Sequence, residues 1–214
     1  MNGIIADLLF GFVLSGDEDE QGLYEALPLG YFSSTLERLE GRDCSFVMMT
    51  KLGCDSEAEA LRTYYAGTEN CRIRYYESSI YPTALSIEGF NRLRYSALSD
   101  IRNDDVKDFI ERCGIDTLFI SGALISFKPV SREIVSAVIE RRERLKKVIV
   151  DTTLDCDILL LEEVKNAVET MHSSGLEIYI VGEALPPDGV RGMSATRRDE
   201  ILTHLPEQES QERI

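Results

Sequence analysis

The chain has 214 residues, 43% of them hydrophobic and 29% charged, and a formal net charge of −15. That is the composition of a soluble globular α/β protein with a proper core. It excludes the cationic surface that nucleic-acid phosphates or anionic membranes require, although a local pocket can still hold a phosphate against the global field.

Residues 4–15 read as a first strand. The opening is apolar but lacks the basic leader and small-residue cleavage site of a signal peptide, and no apolar run reaches the roughly 18 residues of a membrane span. Residues 16–28 read as an acidic turn and a short half-buried strand. "SSTLERLEG" (33–41) predicts a helix with Ser34 as N-cap, Glu37 three residues on and Gly41 as its stop. "DCSFVMMTKLG" (43–53) is a continuous apolar strand that breaks at Gly53. "DSEAEALRTYYAG" (55–67) predicts a helix capped by Asp55 and ended by Gly67.

Between 71 and 98 the texture changes. "CRIRYYES", "YPTALSIE" and "RLRYSA" have mixed faces and are separated by "SSI" and "GFN". They read as an antiparallel meander, a small projecting β lid, with Pro82 at an edge or strand start. Its candidate buried face is Ile73, Tyr75, Leu85, Ile87 and Tyr95. From 100 the alternation resumes: helix 103–114, strand and turn 115–126, helix 130–147, strand 148–151, helix 159–175, strand 176–183. Apolar strands alternating with helices predict a parallel sheet covered on both faces, with right-handed crossovers. The division expected is an α/β domain over 1–185 with the lid inserted at about 71–98. A polar C-terminal extension follows over 186–214, with a short helix at 194–205 and a frayed tail.

Five cysteines (Cys44, Cys54, Cys71, Cys113, Cys156), odd in number and with no CxxC pair, fit reduced thiols in the cytoplasm. The two histidines, His172 and His204, sit in no metal or triad motif.

The order of the pieces over residues 4–183 resembles the N-terminal half of the ribokinase-like (PfkB) carbohydrate kinases. "YEALPLGYFSSTLERLEG" resembles the leader into that family's Gly-Gly sugar loop and the helix ending "ARLG". "FVMMTKLGCD" resembles "FIGKVGDD", and "YPTALSIEG" resembles the "PTGLALV" lid strand. "IDTLFISGALIS" resembles "ADLLHLSGISL"; "VIVDTTLD" and "LEIYIVGE" fall where the family has "VSFDPNLR" and "DIVKLNEEE". The resemblance implies a ribokinase-like, Rossmann-like three-layer fold. It also implies ATP and Mg²⁺ as the cofactors of the whole kinase, a lid that pairs with another lid in a homodimer, and a sugar site at the carboxyl ends of the strands.

The family's site residues are only partly present. Of the glycine pair only Gly30 is in place, and no asparagine accompanies it. The sugar-binding aspartate that closes strand one would fall near Gly16, with Asp17 as the neighbour able to substitute. Asp151 is kept, but Thr153 and Asp155 stand where the family has Asn and Arg. Replacing Arg by Asp reverses a charge and removes a forked donor. The family's "GAGD"-type motif, an anion hole plus catalytic base, is absent from these 214 residues.

The candidate substrate-binding residues are therefore Asp17, Gly30, Asp151 and Thr153, with no catalytic residue, no metal ligand and no cofactor expected for this chain alone. The reading is a kinase-like protein without phosphotransfer that binds a sugar or another small molecule, or associates as a homodimer through its lid. The alternatives are a sugar kinase whose second half is supplied separately, an enzyme reusing Asp17, Asp151 and Asp155 as paired carboxylates, and a structural subunit. Tyr64, Tyr65, Tyr75, Tyr76 and Tyr95 could stack on a sugar or pack in the lid.

Overall fold

A computed structural model of the chain describes residues 1–15, 23–44, 46–68, 71–87, 90–153, 162–182 and 186–203. Seven strands form the main sheet: β1 (Asn2–Ile5), β4 (Phe46–Leu52), β5 (Arg72–Glu77), β8 (Thr117–Ser121), β9 (Lys147–Asp151), β10 (Ile178–Val181) and β11 (Arg191–Met193). Their order is β11-β10-β9-β8-β1-β4-β5, and every neighbouring pair is parallel. The other four strands, β2 (Leu9–Ser15), β3 (Leu23–Leu29), β6 (Leu85–Ile87) and β7 (Phe90–Arg92), make a second sheet in the order β3-β2-β6-β7.

Central parallel strands are buried on both faces, which is why they appear in the sequence as unbroken apolar runs. β4 is buried at all seven positions. Its residues alternate between two cores. Val47 and Met49, with Ile5, Ile120 and Val150, pack on α3 (Asn103–Arg112), α5 (Lys128–Glu140) and α6 (Glu162–Ser173). Met48 and Leu52, with Ile4, Phe119 and Ile149, pack on α1 (Tyr31–Arg38), α2 (Ser56–Tyr64) and α7 (Ala195–Thr203). A short α4 (Gly122–Ser126) follows β8 directly. The three-layer α/β architecture expected from the alternation is present, and strands 46–50, 117–121 and 148–151 share one sheet.

Four local expectations are corrected. The strand over 4–15 is two strands: the chain leaves the main sheet after Ile5, passes Asp7 and re-enters pairing in the lid at Leu9. An apolar run with a single carboxylate in it does not mark that corner. β5 is not a lid strand. It extends the main sheet parallel to β4, in the register Thr50↔Tyr75, with Ile73 and Tyr75 turned towards the α2 side and Tyr76 towards the other. A half-exposed edge strand of a covered sheet has the same mixed pattern as a lid strand. Tyr95 is 67% exposed at φ 63, so it is not part of a buried lid face. Residues 186–203 are no appendage: β11 is the seventh strand of the sheet, and Leu202 of α7 is fully buried in the core.

At the helix ends, Asp55 caps α2 by accepting from the Ala58 N–H at 2.9 Å. Ser34 does not cap α1; the helix starts three residues earlier, after Gly30, and the Ser34 hydroxyl donates to the Tyr31 carbonyl. Asp55 also ties the lid to the body. It accepts from the Thr83 N–H and from the Thr83 hydroxyl, each at 2.6 Å. Among the described residues no helix is long and apolar enough to cross a membrane.

Candidate functional site

In open parallel sheets, ligands bind outside the carboxyl ends of the strands. Two carboxylates stand at that end here. Asp151 is the last residue of β9, and Asp7 lies just beyond β1. Tyr31, the first residue of α1, touches both.

Asp151 is saturated. Its Oδ2 accepts from the Tyr31 hydroxyl at 2.6 Å and from Arg198 Nη1 at 2.8 Å. Its Oδ1 accepts from the Thr153 N–H at 3.0 Å and from the Thr153 hydroxyl at 2.7 Å. Side-chain exposure is 0% for Asp151 and 3% for Arg198. The chain of charge continues: Arg198 Nε donates to Asp199 at 2.8 Å, and Arg38 Nε donates to the same oxygen at 3.0 Å. Burial works against the Arg198 charge, but the hydrogen bond to Asp199 and the Asp151 carboxylate outweigh it and raise its pKa. The Tyr31 phenol is held far above its usual range, first by burial and then by the Asp151 charge.

Asp7 has no such cation. Its carboxylate accepts from the Ser121 hydroxyl and, at 3.3 Å, from the Tyr31 N–H. Burial pushes its pKa up against these donors. Gly30 makes the approach feasible. It sits at φ 99, and a Cβ there would fall 2.6 Å from the Asp7 carbonyl oxygen and 2.7 Å from Asp7 Oδ2. The glycine is needed for the chain to cross Asp7 before α1 begins.

The structure therefore gathers three of the four expected residues, Gly30, Asp151 and Thr153, around Tyr31. Asp17 lies outside the described residues, as does Asp155. Three residues were missed. Asp7 is the carboxylate that follows the true end of strand one. Tyr31 directly follows the marked Gly30 but was not itself singled out. Arg198 was counted as one charge of a polar helix; its signal was its place on the buried stripe of α7, four residues before Leu202. Two cavities, of about 430 Å³ between α1 and α2 and about 590 Å³ between α5 and α6, lie elsewhere and include none of Asp7, Tyr31, Asp151 or Arg198. Among the described residues no group of three or more His, Cys, Asp or Glu side chains is placed to hold a metal ion.

The arrangement of sheet, lid and strand-end corner has solved counterparts. A PfkB protein from Polaromonas superposes with a TM-score of 0.57 at 12% identity, over 84% of this chain and 64% of its own. Adenosine kinase from Anopheles gambiae gives 0.59 at 14% identity, over 85% and 64%. Aminoimidazole riboside kinase from Salmonella enterica gives 0.59 at 14% identity, over 85% and 59%. The fold is that of the PfkB/ribokinase sugar kinases. The chain spans 59–64% of the length of these three proteins. No protein-family model and no curated protein matches it. Within this ribokinase-like fold, the corner at the ends of β1 and β9 is where Tyr31 and Arg198 converge on Asp151.

Proposed function

We infer that this chain is a non-phosphorylating member of the ribokinase-like fold, whose strand-end site is closed from within and whose role is association or the binding of a small molecule. One observation carries the reading: all four hydrogen bonds to Asp151 come from its own chain. A sugar hydroxyl could reach that carboxylate only by displacing Tyr31 or Arg198. Unpairing a buried ion pair costs about 3–5 kcal/mol. A new neutral hydrogen bond returns about 0.5–1.5 kcal/mol. Two or three sugar contacts do not offset the loss. Phosphoryl transfer also needs positioned charge at the transferred group, and the groups described at this corner neutralise one another.

The same reading makes the lid the association surface. A four-stranded sheet whose edges, among the described residues, are β3 and β7 gains most by meeting a second copy. Sedimentation at micromolar concentration should then show a dimer, and a monomer persisting at high concentration would remove that part. A second reading, a kinase completed by another chain, is favoured by the 59–64% span of its structural counterparts. The deciding experiment is ADP release with hexoses, pentoses, keto-deoxy acids and nucleosides, beside a thermal-shift screen of sugars and nucleotides. The expected result is no turnover and no nucleotide shift. Turnover that Asp151→Ala abolishes would show the corner to be a working active site.

A further inference from the structure

The described chain crosses between the main sheet and the lid four times: at 6–8, at Gly30, at 78–84 and at 93–96. The first two crossings meet at Asp7 and belong to the closed corner. The other two form a separate neck. The Ala97 N–H donates to the Pro82 carbonyl at 2.7 Å, so its two limbs run side by side.

The first limb is held in an unexpected way. From Ser78 to Thr83 only those two end residues are buried, each 2% exposed, while Ile80 is 70% exposed and Ser79 and Pro82 also lie at the surface. A connection held by the hydrophobic effect turns its large apolar side chains inward. This one turns Ile80 outward and buries two hydroxyls, and each hydroxyl is set on a carboxylate. The Thr83 hydroxyl and N–H both donate to Asp55, at 2.6 Å each, and the same hydroxyl accepts from the Gly53 N–H at 3.0 Å. The Ser78 hydroxyl donates to Asp100 at 2.9 Å, in the turn that ends the second limb.

Both contacts lead back to one stretch at the end of β4. Lys51, 5% exposed, donates to the Asp100 carbonyl and to the Asp105 carboxylate, each at 2.7 Å. The Leu52 carbonyl accepts from the Ser78 N–H at 2.9 Å. Gly53 lets the limb come this close: a Cβ there would fall 2.6 Å from the Thr83 nitrogen and 2.9 Å from the Pro82 carbonyl carbon. Asp55 caps α2 through the Ala58 N–H, and a cap needs no more than backbone donors of its own helix. The two bonds from Thr83 are surplus to capping. Burial works against the Asp55 charge, but the bonds from Thr83 and Ala58 outweigh it and lower its pKa, so the Thr83 bonds are made to a carboxylate. Bonds to a charged acceptor are roughly twice as strong as neutral ones.

We propose that residues 51–55 form a latch that fixes the lid against the main sheet, with Thr83–Asp55 and Ser78–Asp100 as its two pins. The lid turns relative to the body only when a pin is drawn. Its edges are thereby presented in one orientation, pre-organised for whatever meets them. The latch does not depend on whether the strand-end corner binds a ligand.

The test is backbone NMR relaxation on the full chain, with hydrogen exchange of single amides. In the parent, amides of β2 and β6 in the lid and of β8 and β9 in the main sheet should report one common tumbling time. Thr83→Val draws one pin and leaves the Asp55 cap in place. Asp55→Asn keeps a capping side chain and removes the charge. In both variants the Ser78 and Ala97 amides should exchange about tenfold to a hundredfold faster. The lid should then tumble apart from the main sheet, while the Val148 amide, bonded to the Glu177 carbonyl inside that sheet, exchanges as in the parent. Thr83→Ser keeps the hydroxyl and should behave as the parent. A lid that tumbles separately in the parent, or neck amides that keep the parent rate in both variants, would overturn the latch. So would an acceleration as large at Val148 as at Ala97, which marks a general loss of stability. Thr83→Ser exchanging as fast as Thr83→Val would also overturn it, because the effect would then come from the lost methyl group.

Discussion

Asp7 and Asp151 are both buried carboxylates at the same end of the sheet, and both are held by Tyr31, one through its N–H and the other through its hydroxyl. They differ in one respect. Asp151 has a guanidinium at 2.8 Å, whereas among the described residues Asp7 has only neutral donors. Burial alone raises the pKa of a carboxyl group, and a cation at contact distance favours its charged form. The two positions show how one fold corner gives one buried acid a cation and leaves the other to neutral donors, with burial raising the Asp7 pKa. The difference comes entirely from a helix about 45 residues further along the chain, α7, which supplies Arg198.

The largest test breaks the better-matched site. Arg198→Ala should destabilise the protein by about 3–5 kcal/mol in urea unfolding, because it strands the Asp151 charge. Adding Asp151→Asn to that variant should recover much of the loss; a double variant no more stable than Arg198→Ala would show that lost packing, and not charge, dominates. Next comes Gly30→Ala. A Cβ at positive φ and 2.6 Å from the Asp7 carbonyl should cost about 2–3 kcal/mol. An unchanged melting temperature would mean that the crossing over Asp7 can relax. Tyr31→Phe removes one of four donors to Asp151 and leaves the N–H on Asp7 untouched. It should cost about 1.5 kcal/mol, and the loss should appear in unfolding midpoint without a change in m-value.

The smallest effect sharpens the comparison from the other side. The folded pKa of Asp7 is raised, so its contribution to stability is fully present below the unfolded value and is lost as pH rises through the folded one. Asp7→Asn should therefore be near neutral in acid and gain on the parent as pH rises. Stability profiles from pH 4 to 8 that run parallel for the two proteins would contradict the raised pKa.

Most of the fold could be read before any coordinates. Central parallel strands such as "FVMMTKL" and "VIVD" are mostly apolar because both faces are covered, and Asp55 marks its helix by capping it. The edges were illegible for a physical reason. β5 has Ile73 and Tyr75 against one core, Tyr76 against the other and alternating arginines, a pattern that an edge strand and a lid strand share. β11 has three residues, too few for any period. At the candidate site, Gly30, Asp151 and Thr153 could be marked from their places in strand-end motifs. Arg198 was harder to mark, because its partner lies 47 residues away and only its place four residues before Leu202 on the buried stripe of α7 separates it from Arg197, which pairs with Glu200 on the surface. The cavity between α1 and α2 was equally hidden. It exists only because two helices that are separate in sequence end at the same place.

The contacts of α7 also govern the order in which the chain can finish folding as it is synthesised. Asn2, at the start of the first strand, donates to the carbonyl of Ile201 at 2.8 Å, and Arg198 reaches Asp151 from the same helix. Before α7 is made, the face of the sheet that carries Ile4, Phe119 and Ile149 has α1 and α2 but lacks its third helix, and the Asp151 carboxylate lacks its guanidinium. Neither defect can be repaired until the last described helix clears the exit tunnel. A chain that stops just before residue 195 should thus be far easier to digest than one that carries α7.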